Sequence, residues 1–393
     1  MAVVGLSELL ARGVRGRRVL VRADLNVPLA AGEVRDDTRI RASVPTLQRL
    51  LASGARVVVV SHLGRPKGTP RPELSLRPVA PRLAELLGSG VSFCEHCIGP
   101  EAADAIDRLG DGELVLLENL RFHPGEERND PDFAKALAEP VDAFVNDAFG
   151  TAHRAHASTV GVTAYVADSA AGDLLLSEIE HLRAVREPIR PLMVVLGGAK
   201  VSDKLAVLEA LAPHADVLAI GGAMSYTFMA AKGEATGASL IESDRIDDAL
   251  RVLRAAEESG RKLLLPTDHV VAERLEGGIP TRVVRKIPDG LMGLDIGPET
   301  AERYAAEIAA ARTFFWNGPM GVFEIPEFAE GTRRVARAAA ETSAMTVVGG
   351  GDSLAAVNQM GVGDRITHLS TGGGASLEFV QGLELPGVAA LER

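Results

Sequence analysis

Four glycine-rich stretches stand out in this 393-residue chain: GGAKVSDK at 197–204, IGGAM at 220–224, GGGDS at 349–353 and TGGGAS at 371–376. Each follows a short apolar run, and the first, third and fourth also precede a segment with helical spacing. A glycine loop ahead of a helix offers free backbone amides and the positive end of the helix dipole, which is a cradle for phosphate. One such loop alone is as well explained by a tight turn. Four together point to phosphate chemistry. The chain has seven lysines, yet Lys200 and Lys204 lie four apart directly after Gly197 and Gly198, a spacing that places both on one helix face. Gly-Lys never occurs, which excludes the P-loop pattern, and no G-x-G-x-x-G follows the first strand. Asp352 at a predicted helix start suits either a cap or a hard-oxygen ligand for Mg²⁺.

A second set is cationic. Asp24 and Asn26 end an apolar run, Arg39 opens a helix, SHLGR carries His62 and Arg65, LRF carries Arg121, and GTAHRAH carries His153, Arg154 and His156. A lone arginine is usually a solvated surface residue. Guanidiniums and imidazoles at the ends of successive runs would converge on a small ligand bearing phosphate and carboxylate groups. His62 and His153 could move protons, but no nucleophile elbow or HExxH accompanies them. The segment FCEHC, with Cys94, His96 and Cys97, lacks the second ligand cluster that a zinc site requires. Trp316 in FFWNGPMG is read as packing beside a functional turn.

The elements that must position these residues repeat one design. Short runs such as RRVLVRADLN, ARVVVVSHLG, ELVLLENLRF, AFVNDAFGT, LMVVLGGAK, DVLAIGGAM, KLLLPTDHV, TFFWNGPMG, MTVVGGGDS and ITHLSTGGG read as strands. Between them lie amphipathic segments such as RIRASVPTLQRLLASG and PETAERYAAEIAAAR. Near-continuous apolar strands alternating with helices predict an α/β fold with parallel sheets covered on both faces, whose ligands sit at the strands' carboxyl ends. AGDLLLSEIEHLRAVREPIRP reads as an interdomain helix and hinge over 173–190. The expected organisation is therefore two Rossmann-like domains, 1–172 with the cationic set and 191–376 with the glycine set. A length of 393 residues with 46% hydrophobic and 24% charged residues fits two packed domains and not a disordered chain. A net charge of -11 argues against broad nucleic-acid binding while leaving room for a local anion pocket. No long apolar stretch or basic leader is seen, and two cysteines make no disulfide framework, so the expectation is a cytoplasmic protein without a membrane partner.

VRADLNVPL with DDTRI, SHLGRPKG, LLENLRFHPGEE, VNDAFGTAHRAHAS, GGAKVSDK, LMGLDIGPETAE, FFWNGPMGVFE, VVGGGDS and THLSTGGGASLE follow one another in the order and pattern of a known family. On these residues the chain resembles the phosphoglycerate kinase family over nearly its whole length. The resemblance implies reversible transfer of the acyl phosphate of 1,3-bisphosphoglycerate to Mg-ADP, giving 3-phosphoglycerate and ATP, in a monomer that closes about a hinge. It implies that Asp24, Leu25, Asn26, His62, Leu63, Gly64, Arg65, Arg121 and Arg154 bind the glycerate ligand, and that Arg39 reaches toward the transferred group. On the nucleotide side it implies Gly198, Lys204, Gly221, Gly222, Gly293, Asn317, Pro319, Glu324, Gly350, Gly351, Asp352 and Ser353, with Asp352 on Mg²⁺ and Glu324 on the ribose. Lys200 with Gly372, Gly373 and Gly374 would stabilise the phosphoryl group in flight. It further implies that residues 377–393 return to complete the first domain. Ala23, Leu25, Ala223 and the tail QGLELPGVAAL depart from the usual pattern at positions outside the charged contacts. Two other readings are a two-domain anion receptor without turnover and a kinase for a different acyl phosphate.

Overall fold

Apolar runs without polar alternation can be buried only on both faces, and in the computed structural model, which describes residues 3–392, they form two parallel sheets. The first sheet is built from β1 (Arg18–Ala23), β4 (Arg56–Val60), β5 (Val91–Cys94), β6 (Leu114–Leu117), β7 (Ala143–Asp147) and β8 (Ser169–Ala171) in the order β5-β6-β4-β1-β7-β8. A small hairpin, β2 (Leu29–Ala30) with β3 (Glu33–Val34), lies outside it. Register is strict at the centre, where Leu20 stands opposite both Val58 and Phe144. The carboxyl ends of β1, β4 and β7 therefore finish level, and chain order reverses on the two sides of β1, which makes the crevice a ligand uses in such sheets.

The second sheet contains β9 (Leu192–Leu196), β10 (Val217–Ile220), β11 (Lys262–Leu264), β15 (Thr313–Asn317), β16 (Met345–Gly349) and β17 (His368–Ser370), ordered β11-β10-β9-β15-β16-β17. Its reversal falls between β9 and β15, where Trp316 pairs with Val195 and Asn317 with Leu196. Beside it β12 (His269–Ala272), β13 (Arg282–Val284) and β14 (Met292–Ile296) form a three-stranded antiparallel sheet. Sequence periodicity missed this small sheet, the hairpin and the edge strands β5 and β8. KLLLPTDHV, read as one strand, is split by Pro266 between β11 and β12, because proline cannot donate to a ladder.

The described residues divide into two compact units, one running to Ile179 and resuming at Glu384, the other spanning Glu180–Leu383. The first has its core around Val19, Val21, Leu47, Val57, Val59 and Val145. In the second the core centres on Val195, Tyr304, Phe314, Trp316 and Val348. The helix Asp173–Arg186 carries the chain from one unit to the other and stops before Pro188. The return to the first unit begins at Glu384 and not near 377, because 377–380 belong to the helix Gly374–Val380, packed in the second unit. None of the described helices is long and apolar enough to cross a membrane.

Candidate active site

In the first unit the cationic residues gather where β1, β4 and β6 end. Asp24, just beyond β1, accepts from Arg39 Nη1 at 3.1 and 3.2 Å, and the same nitrogen donates to the Asn26 carbonyl at 3.3 Å. Arg39 is held at the first turn of the helix Thr38–Ala52, so helix and strand end share one guanidinium. Asn26 Oδ1 accepts from the Gly64 amide at 2.9 Å, which fastens the SHLGR loop to the end of β1. Asn119 donates through Nδ2 to the Leu63 carbonyl at 2.7 Å and accepts from the Arg121 amide at 3.1 Å. Arg121 in turn donates from Nη1 to the Gly64 carbonyl at 3.0 Å. Asp24, Asn26, Arg39, Gly64 and Arg121 thus form one bonded cluster. Arg65 is exposed on the same loop, and Arg154 is half-buried with Nε donating to His153 Nε2 at 3.2 Å.

The charges in this cluster are crowded. Burial together with the like charges of Arg22 and Arg154 pushes the Arg121 guanidinium down to about 10, against a partial offset from Glu127. His62, 4% exposed, is held well below the ordinary imidazole range by burial and by Arg22, Arg121, Arg39 and His156. His156 is pushed down to about 4, first by burial and then by Arg121 and Arg22. Both rings are neutral near pH 7, so the pocket's positive charge resides on its arginines. Leu25 and Leu63 are buried in the core, and the Leu25 amide donates to Ser61 Oγ at 2.8 Å, so neither offers its side chain to a ligand. Both side chains join the hydrophobic core just past the ends of β1 and β4, so only their backbone is left to face a ligand.

Two residues that sequence reasoning passed over lie beneath the cluster. Arg22 and Glu126 are both fully buried, joined through Ser158. Arg22 was signalled by an arginine inside the apolar run VLVRA, a position that a two-face-buried strand gives to a charge only if a partner is waiting.

In the second unit the glycine loops gather at the ends of β9, β10, β15, β16 and β17. The Gly198 amide donates to the Pro319 carbonyl at 3.0 Å, Gly222 to Met320 at 2.9 Å, and Met224 to Gly198 at 3.1 Å. Only glycine fits at 222: its φ is +67°, and a Cβ would fall 2.5 Å from the Gly198 carbonyl oxygen. Gly221 and Gly222 therefore serve the approach of loop to loop. Gly350 has φ +90° and a Cβ there would lie 2.9 Å from Asn317 Nδ2, so the amide of Asn317 faces the GGGDS loop. That Nδ2 is buried without a partner, while Asn317 Oδ1 accepts from Lys204. Burial lowers the Lys204 ammonium, against Asp203 and Asp352, which raise it. An unpartnered amide donor, an ammonium and a glycine loop on the helix Gly351–Gln359 make one anion-binding corner. Ser353 is fully buried and accepts the Gly318 amide at 2.6 Å, so it ties the β15 and β16 loops together.

Other predicted residues are dispersed around this corner. Lys200 does not share a helix face with Lys204: the helix begins at Leu205, Lys204 is its N-cap, and Lys200 is exposed in the preceding turn. Val201 is buried and Ser202 is fixed by Glu242, at 3.1 Å through its amide and 2.6 Å through its hydroxyl, which holds residues 201–204 out of helix. Gly373, with φ +55° and open space on its Cβ side, precedes the helix that starts at Gly374, and the Gly372 amide donates to Ser370 Oγ at 3.4 Å. Gly293 faces Tyr226, whose hydroxyl would lie 2.1 Å from an added Cβ, a neighbour no sequence pattern announced. Glu324 and Gly351 are exposed, and Pro319 is half-buried.

Among the described residues no group of three His, Cys, Asp or Glu side chains is placed to hold a metal. Asp352 is exposed at the second position of its helix, beside the glycine loop. A single hard carboxylate next to a phosphate cradle suits Mg²⁺, which takes few protein ligands and completes its shell with phosphate and water. Cys94 and Cys97 are buried, unbridged thiols, and burial pushes the Cys97 thiol up.

Compared with known proteins, residues 10–383 match the family described as Phosphoglycerate kinase. The chain belongs to the phosphoglycerate kinase family. It is 57% identical over 381 residues to the phosphoglycerate kinase of Rubrobacter xylanophilus, covering 96% of each chain. With that of Moorella thermoacetica it shares 55% identity over 96% of this chain and 97% of the relative. Among solved structures, phosphoglycerate kinase from Coxiella burnetii superposes with a TM-score of 0.90 at 41% identity, covering 99% of both chains. The phosphoglycerate kinase structure from Pyrococcus horikoshii gives 0.85 at 34%, over 99% of this chain and 98% of that one. The protein is thus an enzyme of the phosphoglycerate kinase family, with its two-domain α/β fold and its kinase chemistry of glycolysis.

Proposed function

We propose that the enzyme transfers the acyl phosphate of 1,3-bisphosphoglycerate to Mg-ADP, reversibly and directly, giving 3-phosphoglycerate and ATP. The observation that carries this reading is the bonded cluster of Asp24, Asn26, Arg39, Gly64 and Arg121, with Arg65 and Arg154 around it, in an enzyme of this family. Three arginines, Arg65, Arg121 and Arg154, exceed what a carboxylate alone would need, and a distal phosphate accounts for them. An unphosphorylated acyl substrate would leave them without an anion.

In the ATP-forming direction an ADP β-phosphate oxygen attacks phosphorus, the bond from phosphorus to the acyl oxygen breaks, and its electron pair stays on the carboxylate. In reverse the attacking carboxylate is already ionised, its pKa lying near 4. Neither direction needs a general base, which agrees with two neutral, deeply buried histidines, His62 and His156. His62 binds as a neutral donor. Arg39, steered by Asp24, balances charge at the carboxylate end, while Lys200 and the amides at 372–374 receive the moving phosphoryl group. Lys204 and Asn317 hold the nucleotide phosphates, and Gly221, Gly222, Gly293 and Glu324 accommodate adenosine. Asp352 would hold Mg²⁺, which supplies charge neutralisation on the nucleotide phosphates when bound. Because the two ligand sets belong to separate units, the mechanism includes a closing step about residues 173–190, which also excludes water from an acyl phosphate. We place the enzyme in the cytoplasm as a monomer.

The test is ATP-dependent turnover of 3-phosphoglycerate with Mg²⁺, coupled to reduction of the acyl phosphate. Wild-type turnover is expected, together with a loss on the order of a hundredfold or more in kcat for Lys200→Ala with nucleotide KM little changed. Absence of turnover in folded wild type would overturn the reading, and an unchanged KM for 3-phosphoglycerate in Arg65→Ala would reject the phosphorylated substrate.

A further inference from the structure

Beneath the arginine cluster of the first unit runs a chain of buried hydrogen bonds whose direction is forced at every link. Arginine only donates. Arg22 Nε donates to Ser158 Oγ at 2.8 Å, so the serine's own proton is left for Glu126 Oε1 at 2.6 Å. The Ser158 amide donates to Glu126 Oε2 at 3.0 Å, so both oxygens of this carboxyl group accept; burial raises its pKa, while Arg22, the two Ser158 bonds and Arg121 favour the ionised form. At the other end Arg22 Nη2 donates to His62 Nδ1 at 3.2 Å. That nitrogen can only accept, which leaves the single ring proton of His62 on Nε2. Arg22, Ser158 and Glu126 are all fully buried, so no water competes for any of these bonds.

We propose that Glu126 is a positioning residue that acts through Ser158 and Arg22 to hold His62 in its Nε2–H tautomer, presenting a donor to the anionic end of the substrate. The proposal rests on the reading of this pocket as the site for a phosphorylated acid. Arg22 Nη1 also donates to the Ala23 carbonyl at 2.5 Å, so without the relay the guanidinium keeps one anchor but loses the bond on Nε and the charge that fix its tilt, and His62 then also populates the Nδ1–H tautomer, which offers a lone pair where the ligand needs a proton. Glu126 neutralises Arg22, a charge that burial alone would not tolerate, and its backbone carbonyl accepts the Ala157 amide at 3.0 Å, so it also secures the turn that follows Arg154.

Selective ¹⁵N labelling of the nine histidines in the full chain, read by imidazole NMR, reports the tautomer of His62 directly. Ser158→Ala removes one oxygen and leaves Glu126 in place, so it separates the relay from the fold, and Ser158→Thr restores the hydroxyl. Wild type is expected to show His62 protonated on Nε2, Ser158→Ala and Glu126→Gln a mixture, and Ser158→Thr the wild-type pattern. In parallel, KM for 3-phosphoglycerate should rise about tenfold in Ser158→Ala with KM for ATP within about twofold, the size of one charge-assisted hydrogen bond. An unchanged His62 pattern in Ser158→Ala overturns the relay, and a changed pattern with unchanged KM overturns its link to the substrate. A changed pattern in an enzyme whose wild type never turns over 3-phosphoglycerate upholds the relay and rejects the substrate reading instead.

Discussion

At the scale of single residues, the first unit crowds positive charge at the end of its sheet, enough to lower a guanidinium that nevertheless stays protonated near pH 7. Arg121, buried and close to Arg22 and Arg154, is pushed down to about 10. Replacing it with methionine keeps the bulk and removes the charge. We expect KM for 3-phosphoglycerate to rise about ten- to a hundredfold, as for loss of a buried charged hydrogen bond, with KM for ATP unaffected. Steady-state kinetics with each substrate varied would check this. His156 supplies a pH prediction. Its folded pKa, about 4, lies below the ordinary value of 6.5, so at intermediate pH the unfolded chain binds more protons than the folded one. Its stabilising contribution is complete above about 6.5 and is lost as pH falls toward 4. Thermal melts of His156→Asn should therefore fall less steeply than wild type across that window. Single residues were also where the sequence was least informative. Arg39, Arg121 and Lys204 could be picked out by type, position and resemblance, but the partners that orient them could not. Glu126 reads as one more surface glutamate in HPGEE, and only the tertiary fold puts it against Arg22.

Elements carry the next level of control. The helix Asp173–Arg186 is capped by Asp147 from the end of β7, whose Oδ1 accepts from the Leu174 and Leu175 amides at 3.0 and 3.2 Å. Arg49, on the helix that opens with Arg39, bonds Asp173 Oδ1 at 2.5 Å, and Thr46 Oγ1 accepts the Asp173 amide at 2.9 Å. The start of the interdomain helix is thus bolted to the same helix that presents Arg39. Burial pushes Asp147 up to about 7, with Asp173 adding to the effect, against hydrogen bonds from Thr46, Leu175 and Leu174. Here the sign is opposite to that of His156. The folded state holds the proton more tightly than the unfolded state, so the contribution is full below about 4 and declines as pH rises through 7. Asp147→Asn keeps an acceptor for both amides and never ionises, so its melting temperature relative to wild type should improve from pH 5 to pH 8. Asp147→Ala loses the cap and should cost about 1 kcal/mol at pH 5, a cost that shrinks toward pH 8 as the wild type itself loses stability. Most elements were legible from the sequence, since the central strands are unbroken valine and leucine runs. Edge strand β8, which reads SAA, was not, because three small residues carry no periodic signal. The antiparallel sheet β13-β12-β14 escaped for a related reason: its edge strand β13 is half exposed, and Arg282 and Val283 face solvent.

For the whole molecule the informative feature is that the first unit is discontinuous. Residues from Glu384 onward return to it, burying Leu385, Val388 and Leu391. The Gly387 amide donates to the Ala152 carbonyl at 2.8 Å, and its carbonyl accepts from Asn146 Nδ2 at 3.2 Å. A side chain at 387 would crowd the Ala152 backbone at 3.0 Å, so the tail lies flat against the turn that leads to Arg154. Three apolar side chains at about 1.5–3 kcal/mol each are at stake. Deleting 384–393 should lower stability by roughly 5 kcal/mol on that basis and weaken 3-phosphoglycerate binding, while the thermal shift given by Mg-ADP on the second unit persists. Calorimetry with each ligand separately would resolve the two effects, and equal loss of both responses would count against independent ligand sets. The return itself was a matter of resemblance alone, since ten residues such as ELPGVAALER have no pattern that says which core they fill.

The discontinuity also orders events in time. Domains tend to fold in sequence as they emerge from the ribosome, yet here the unit that starts first waits for residues beyond Leu383. The second unit has all of its chain once Leu383 is out, and the first does not until after Glu384. During synthesis the arginine pocket is therefore the later of the two to gain its full set of contacts, and a nascent chain halted before residue 384 would own a finished glycine-loop unit beside an unfinished partner.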